Sequence, residues 1–318
     1  MIINQISKKL FCTLCGLMVI ATLSAKISLP TILDNNMVLQ QQTDVKLWGE
    51  AKEKSKVTIK TSWNENVYIV DSDEKGHWMA HVSTPVAGGP YNINIKDNND
   101  DITLKNVMIG EVWFCSGQSN MEMPVRGGND QPVMGSMDAI AKANANRPIR
   151  MYNTDSENGS WVRQFDKKPQ TDCKGKWLEN TPENVANISA VGYFFADYLE
   201  SVLHVPVGII VSTRGGSKVE PWISQEGLST FPEIDMSILK NKDEITNATA
   251  TPCVLYNSKI APLTNFAIKG FLWYQGESNR ADPDLYSRLM PAFVQDMRNN
   301  WKLSVLFCAD SPIQLRWC

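Results

Sequence analysis

The chain has 318 residues, 43% of them hydrophobic, enough for one large domain or two smaller ones around an ordinary core. Its formal net charge is −3 and no basic tract stands out, which argues against nucleic acid as a partner.

At the N-terminus, Lys8 and Lys9 precede an apolar run, 10–23, that ends in Ser24 and Ala25. This reads as a secretory signal peptide cleaved after Ala25, so export to the periplasm or the cell exterior is expected. The run is too short for a comfortable span, and no stable membrane insertion is expected. Cys15 raises a lipid anchor, but the residues before it match a lipoprotein cleavage site poorly; an uncleaved anchor stays open. Cleavage removes two lysines and no acid, leaving −5. It also removes Cys12 and Cys15, so their spacing is no metal or redox motif. Two of the body cysteines, Cys115, Cys173 and Cys253, could pair in an oxidising compartment, although Cys115, ending an apolar strand, reads as a small buried hydrophobe.

Residues 26–105 alternate in short strand-like runs, 45–48, 56–59, 67–70 and 91–95, divided by Asp-, Asn- and Gly-rich turns. That spacing predicts a small β-sandwich accessory domain. From 106 to 301 strands alternate with helices, which predicts a flavodoxin-like α/β domain, a parallel sheet with helices on both faces. A helix is expected over 190–203, capped by Ser189, with Val191, Phe194, Phe195, Tyr198, Leu199 and Val202 on its apolar face. Buried strands are expected at 107–115, 205–211 and 268–274. Each runs into a glycine-bearing polar turn: Ser116-Gly-Gln-Ser-Asn120, Thr213-Arg-Gly-Gly-Ser217 and Gln275-Gly-Glu-Ser-Asn279. In a doubly wound sheet, ligands gather at the strands' carboxyl ends, so all three turns should meet at one edge.

These turns offer the parts of a serine esterase. Ser119, at a strand-to-helix turn, would be the nucleophile; its plainer reading, or that of Asn120, is a helix cap. The Ser119 N–H, the N–H of Gly216 or Gly215, and the Asn279 amide would surround an oxyanion. Glu122 and Glu277 could orient these groups or bind substrate, or pair with Arg126 or Arg280. Trp222 and Trp273 could line a sugar site or sit in the core. Arg214 could meet an acidic sugar's carboxylate or form a surface ion pair.

The stretches 29–40, 88–91, 110–121, 214–222 and 271–279 together resemble the sialate O-acetylesterase family of carbohydrate esterases, within the SGNH-hydrolase superfamily. The resemblance covers residues 28 to 301. It implies hydrolysis of O-acetyl esters on sialic acid or other sugars, with Ser119, Gly216 and Asn279 as site residues and with no metal or cofactor. Two alternatives stand beside it: a carbohydrate-binding protein without turnover, and an SGNH esterase or lipase acting on non-sugar acyl groups. The family's catalytic histidine has no counterpart, because His77, His81 and His204 all fall outside the three turns. Residues 302–318 do not continue the family pattern. A back-translation of 304–318 can be chosen that encodes a family-like strand when read one base later, so a frameshifted tail and a C-terminally truncated, nearly inactive chain are expected.

Overall fold

The computed structural model describes residues 26–128, 130–154, 165–302 and 307–310. The segment read as a signal peptide, with its possible anchor at Cys15, lies outside the described residues, as do 303–306 and 311–318 of the tail.

The chain begins with β1 (Val38–Gln40), β2 (Asp44–Glu50), β3 (Lys56–Thr61), β4 (Val67–Asp71), β5 (His77–Ser83) and β6 (Gly88–Lys96). β2 and β5 form a two-stranded antiparallel sheet, while β4, β3 and β6 lead antiparallel into β7 (Asp101–Gly117). Period-two alternation sends Val45, Leu47, Val57, Ile59, Trp78, Ala80, Val82, Ile93 and Ile95 into one core.

β7 is the spine of the molecule. Its first half pairs antiparallel with β6, and Met108–Gly110 also lies parallel to β1. From Glu111 it pairs parallel with a strand on one side, and from Trp113 with strands on both. Burial changes with the partners, from alternating to nearly continuous, as expected where helices cover both faces. The boundary drawn after residue 105 therefore falls inside one strand, and a single hydrophobic cluster spans it.

The remaining elements are α1 (Ser119–Glu122), α2 (Ser136–Lys142), β8 (Ile149–Asn153), β9 (Lys176–Glu179), α3 (Pro182–Asn187), α4 (Ala190–Leu203), β10 (Val207–Thr213), β11 (Gly270–Tyr274), α5 (Pro283–Trp301) and β12 (Phe307–Asp310). Across the sheet the order is β9-β8-β10-β7-β11-β12, parallel except for β9. β12 lies beyond residue 301, where the family pattern is expected to stop, yet it continues the parallel sheet beside β11.

α4 has the expected ends, and Ser189 Oγ accepts a bond from Gly192 N at 3.1 Å. Of its expected apolar face, Val191, Phe194, Phe195 and Leu199 pack half-buried on the core, and smaller residues lie deeper. Ala190, Gly192, Tyr193 and Ala196 are buried, whereas Tyr198 is 71% exposed and Val202 is exposed as well. Small residues let the helix lie close to the sheet: a Cβ on Gly192 would stand 3.3 Å from Cys115 Sγ. Against the other face packs α5, started by Asp282 Oδ1 accepting from Leu285 N at 3.0 Å and by Pro283 in the first turn. Leu289, Phe293, Met297 and Trp301 recur every fourth residue; Phe293 lies 4.3 Å from Trp273, and Trp301 lies 5.3 Å from Phe114, centroid to centroid.

Cys115, Cys173 and Cys253 are free and buried separately, so the pairing left open by the sequence is not formed, and Cys115 is the small buried hydrophobe expected. Cys115 lies under α4, Cys173 beside the Tyr152 hydroxyl at 3.4 Å, and Cys253 against Met236. Burial raises all three thiols, Cys173 and Cys253 to about 12.

Two outcomes follow. The thiolate is the reactive form, so at pH 8 the three cysteines stay unmodified by iodoacetamide in the native protein and react only after denaturation, read by peptide mapping. On α4, Tyr193→Ala lowers unfolding free energy by about 3–5 kcal/mol in urea melts, and Tyr198→Ala changes it by about 0.5 kcal/mol or less.

Candidate active site

Parallel pairing puts Gly117 opposite Thr213 on one side and Tyr274 on the other, so the three polar turns leave the sheet at one level. The ladder runs one step further: Gln118 N donates to Tyr274 O, and Arg214 N to Gly117 O, each at 3.0 Å. Gly117 has φ +147°, and a Cβ there would stand 2.2 Å from the Tyr274 carbonyl oxygen, so only glycine fits.

The chain then turns into α1. Gln118, not Ser119 or Asn120, holds the cap position, and no side chain caps the helix. The cap reading of Ser119 and Asn120 is thereby replaced: Ser119 is the first helical residue, exposed between buried Gln118 and Met121. First-turn N–H groups have no acceptor within their own helix.

The turn after β10 lies against this serine. A Cβ on Gly215 would be 3.9 Å from Ser119 Cβ and 2.6 Å from Glu122 Oε2. Gly216 is exposed at φ +70°, and a Cβ on it would meet nothing within 4 Å, so its backbone faces open space. Ser217 Oγ donates to Arg214 O at 2.8 Å and accepts from Trp222 Nε1 at 2.9 Å, which pins the turn from behind.

The turn after β11 contributes buried amides. Gln275 Nε2 donates to Ser217 O at 3.0 Å and to Asn279 Oδ1 at 2.8 Å, and Tyr286 donates its hydroxyl to Gln275 O at 3.0 Å. Asn279 was expected to aim its amide at an oxyanion. Its Oδ1 accepts from Val219 N at 2.9 Å, and its Nδ2 donates to Glu220 Oε2, also at 2.9 Å. It is a buried tie between two turns, with one of its two amide hydrogens committed to Glu220.

The acids and aromatic residues also sort themselves. Glu277 Oε1 accepts from Asn120 Nδ2 at 2.5 Å, and Glu122 packs on Gly215, while Arg126 Nε donates to Asn187. Both acids thus lie against the motif itself. Trp222 and Trp273 are fully buried and meet edge to face at 5.8 Å; they are core, and the sugar-lining option falls away. His77 and His81 lie on β5, and His204 caps the C-terminus of α4, three residues before β10 begins at the end opposite Thr213. At about 3.3 Å per residue the length of β10 alone separates that end from the turns by roughly 20 Å. Among the described residues no group of three or more His, Cys, Asp or Glu is placed to hold a metal ion. Sequence missed Gln275, Ser217 and Glu220 as members of the site. They stand inside the quoted stretches, but only their burial reveals a polar network.

A serine presented at the carboxyl edge of a parallel sheet, with glycine and asparagine turns beside it, defines an SGNH-type hydrolase fold. A family model of carbohydrate esterases, the sialic acid-specific acetylesterases, matches residues 109–311, and the chain belongs to that family. The match extends past residue 301, where the sequence pattern is expected to end. The chain is 28% identical over 284 residues to the sialate O-acetylesterase of Homo sapiens, covering 85% of this chain and 52% of that protein. To the sialate O-acetylesterase of Mus musculus it is 25% identical over 308 residues, covering 85% and 55%. The chain thus spans about half the length of these curated relatives. The crystal structure of a carbohydrate acetylesterase from Xanthomonas citri superposes with a TM-score of 0.77 at 28% identity, covering 89% of this chain and 59% of that one.

The glycines should differ in cost. Gly117→Ala, colliding with backbone, lowers unfolding free energy by about 3 kcal/mol. Gly216→Ala, strained at positive φ but unobstructed, costs about 1 kcal/mol. Urea midpoints of the two variants check the order.

Proposed function

We propose that this chain carries the nucleophile and oxyanion turns of a carbohydrate O-acetylesterase. The observation that supports it most is the common level of Gly117, Thr213 and Tyr274, which sets the Gly215–Gly216 turn against Ser119. Ser119 Oγ attacks the acetyl carbonyl carbon. The oxygen gains negative charge and accepts bonds from the N–H groups of Ser119 and Gly216 and from the remaining Asn279 amide hydrogen. The sugar hydroxyl leaves with a proton, and water then releases acetate from the acyl-serine. The substrate is an O-acetylated carbohydrate, sialic acid among the candidates because the mammalian relatives bear that name. Export through residues 1–25 belongs to the same proposal.

Among the described residues no histidine is placed to remove the serine proton. None of the three histidines stands at the edge of the turns. The 318-residue chain therefore hydrolyses 4-nitrophenyl acetate roughly 10⁴–10⁶-fold more slowly than a family enzyme with a histidine beside its serine. Whatever residual turnover remains is lost in Ser119→Ala. A family-normal rate that vanishes in that variant would overturn the histidine argument; a rate untouched by the substitution would overturn Ser119. The same histidine placement favours a second reading, glycan binding without turnover. Calorimetry with O-acetylated and de-acetylated sugars separates the two, equal affinity supporting plain sugar binding.

A further inference from the structure

Glu220 is an acid placed where an apolar side chain would be expected. It opens the short turn Glu220–Trp222 behind the Gly215–Gly216 loop and is only 8% exposed. A buried carboxylate is costly unless its oxygens are hydrogen-bonded, and replacing such a group by a hydrophobe often leaves a protein equally stable. Its retention here calls for a local task, and its partners show one. Oε2 accepts from Asn279 Nδ2 at 2.9 Å. The other end of the same carboxamide, Oδ1, accepts from Val219 N at 2.9 Å and from Gln275 Nε2 at 2.8 Å, and Gln275 reaches on to Ser217 O at 3.0 Å. With donors at one end and an acid at the other, Asn279 has one orientation; a flipped amide would set its NH₂ against two N–H donors and its oxygen against the carboxylate.

We propose that Glu220 is a positioning residue, which acts through Asn279 and Gln275 to hold the Gly216 amide and the Asn279 amide in fixed relation to Ser119. The chain of bonds runs from an acid in one turn, through two carboxamides in another, back to Ser217 beside Gly216. No bond in it involves the nucleophile. The inference rests on the esterase reading for its purpose, but the clamp itself does not depend on Ser119 being reactive.

The test uses the 318-residue chain and hydrogen–deuterium exchange read by mass spectrometry. Glu220→Gln keeps the shape and removes the charge-assisted acceptor. Exchange in the peptide spanning 214–223 then rises about tenfold to a hundredfold, while peptides from β3 and β6 exchange as before. The double variant Glu220→Gln with Asn279→Asp reverses donor and acceptor across the pair. The carboxamide now at position 220 can donate to the carboxylate now at position 279, whose other oxygen still accepts from Val219 and Gln275. Exchange in 214–223 returns to within about threefold of the unaltered chain, since a charge-assisted bond again joins the two positions. Unchanged exchange in Glu220→Gln overturns the proposal. So does a rise spread over all peptides or failure of the variant to fold, because either makes Glu220 a general core element. A local rise that the double variant leaves uncorrected overturns the assignment to Asn279. None of these readings needs turnover, so the clamp and the esterase reading succeed or fail separately.

Discussion

The structure depends on the passage of β7 through two environments and its end at Gly117. The strand joins the N-terminal antiparallel sheet to the parallel sheet, then stops where its last residue is level with Thr213 and Tyr274. Register in a sheet whose faces are both buried is strongly specified, since a one-residue slip exchanges the faces of every side chain. Phe114 faces α5 and Cys115 faces α4, so that slip would move an aromatic side chain into the space of a thiol. The chemistry at the edge inherits its alignment from packing several residues below.

Polar groups then carry that alignment from the sheet into the turns. Gly117 admits the Tyr274 carbonyl, Ser217 is held by Trp222, and Asn279 ties Val219, Gln275 and Glu220 together. Each of these groups is buried, and an unsatisfied partner in such a place would cost more than the bond contributes. The result is a tied platform that leaves Ser119, Gly216 and Glu277 of the three turns exposed.

Much of this is legible in the sequence where local pattern and burial agree. The buried strands, the three glycine turns and the ends of α4 follow from apolar runs, glycine spacing and Ser189. The face of α4 is not legible in the same way. Most of its bulky stripe packs half-buried on the core, but Tyr198 and Val202 stay exposed, and the deepest contact with the sheet comes from Ala190, Gly192, Tyr193 and Ala196. β5 alternates cleanly through Trp78, Ala80 and Val82, yet its exposed His77, Met79 and His81 obscure the strand. The tryptophans Trp222 and Trp273 could not be placed from sequence, since burial against each other leaves no local mark. Glu220 is the deepest case: an acid in a Pro-Trp turn reads as surface until its partners are seen.

The proposed role of Ser119 is that of the group set apart for acyl transfer. It is tested most directly by treating the chain with a fluorophosphonate, which forms an adduct with an oxygen nucleophile at the expense of fluoride, and mapping the product by peptide mass spectrometry. The adduct is expected on Ser119 alone, slow in the absence of a neighbouring histidine and abolished by Ser119→Ala. Labelling distributed over other serines, or persisting in that variant, would contradict the assignment.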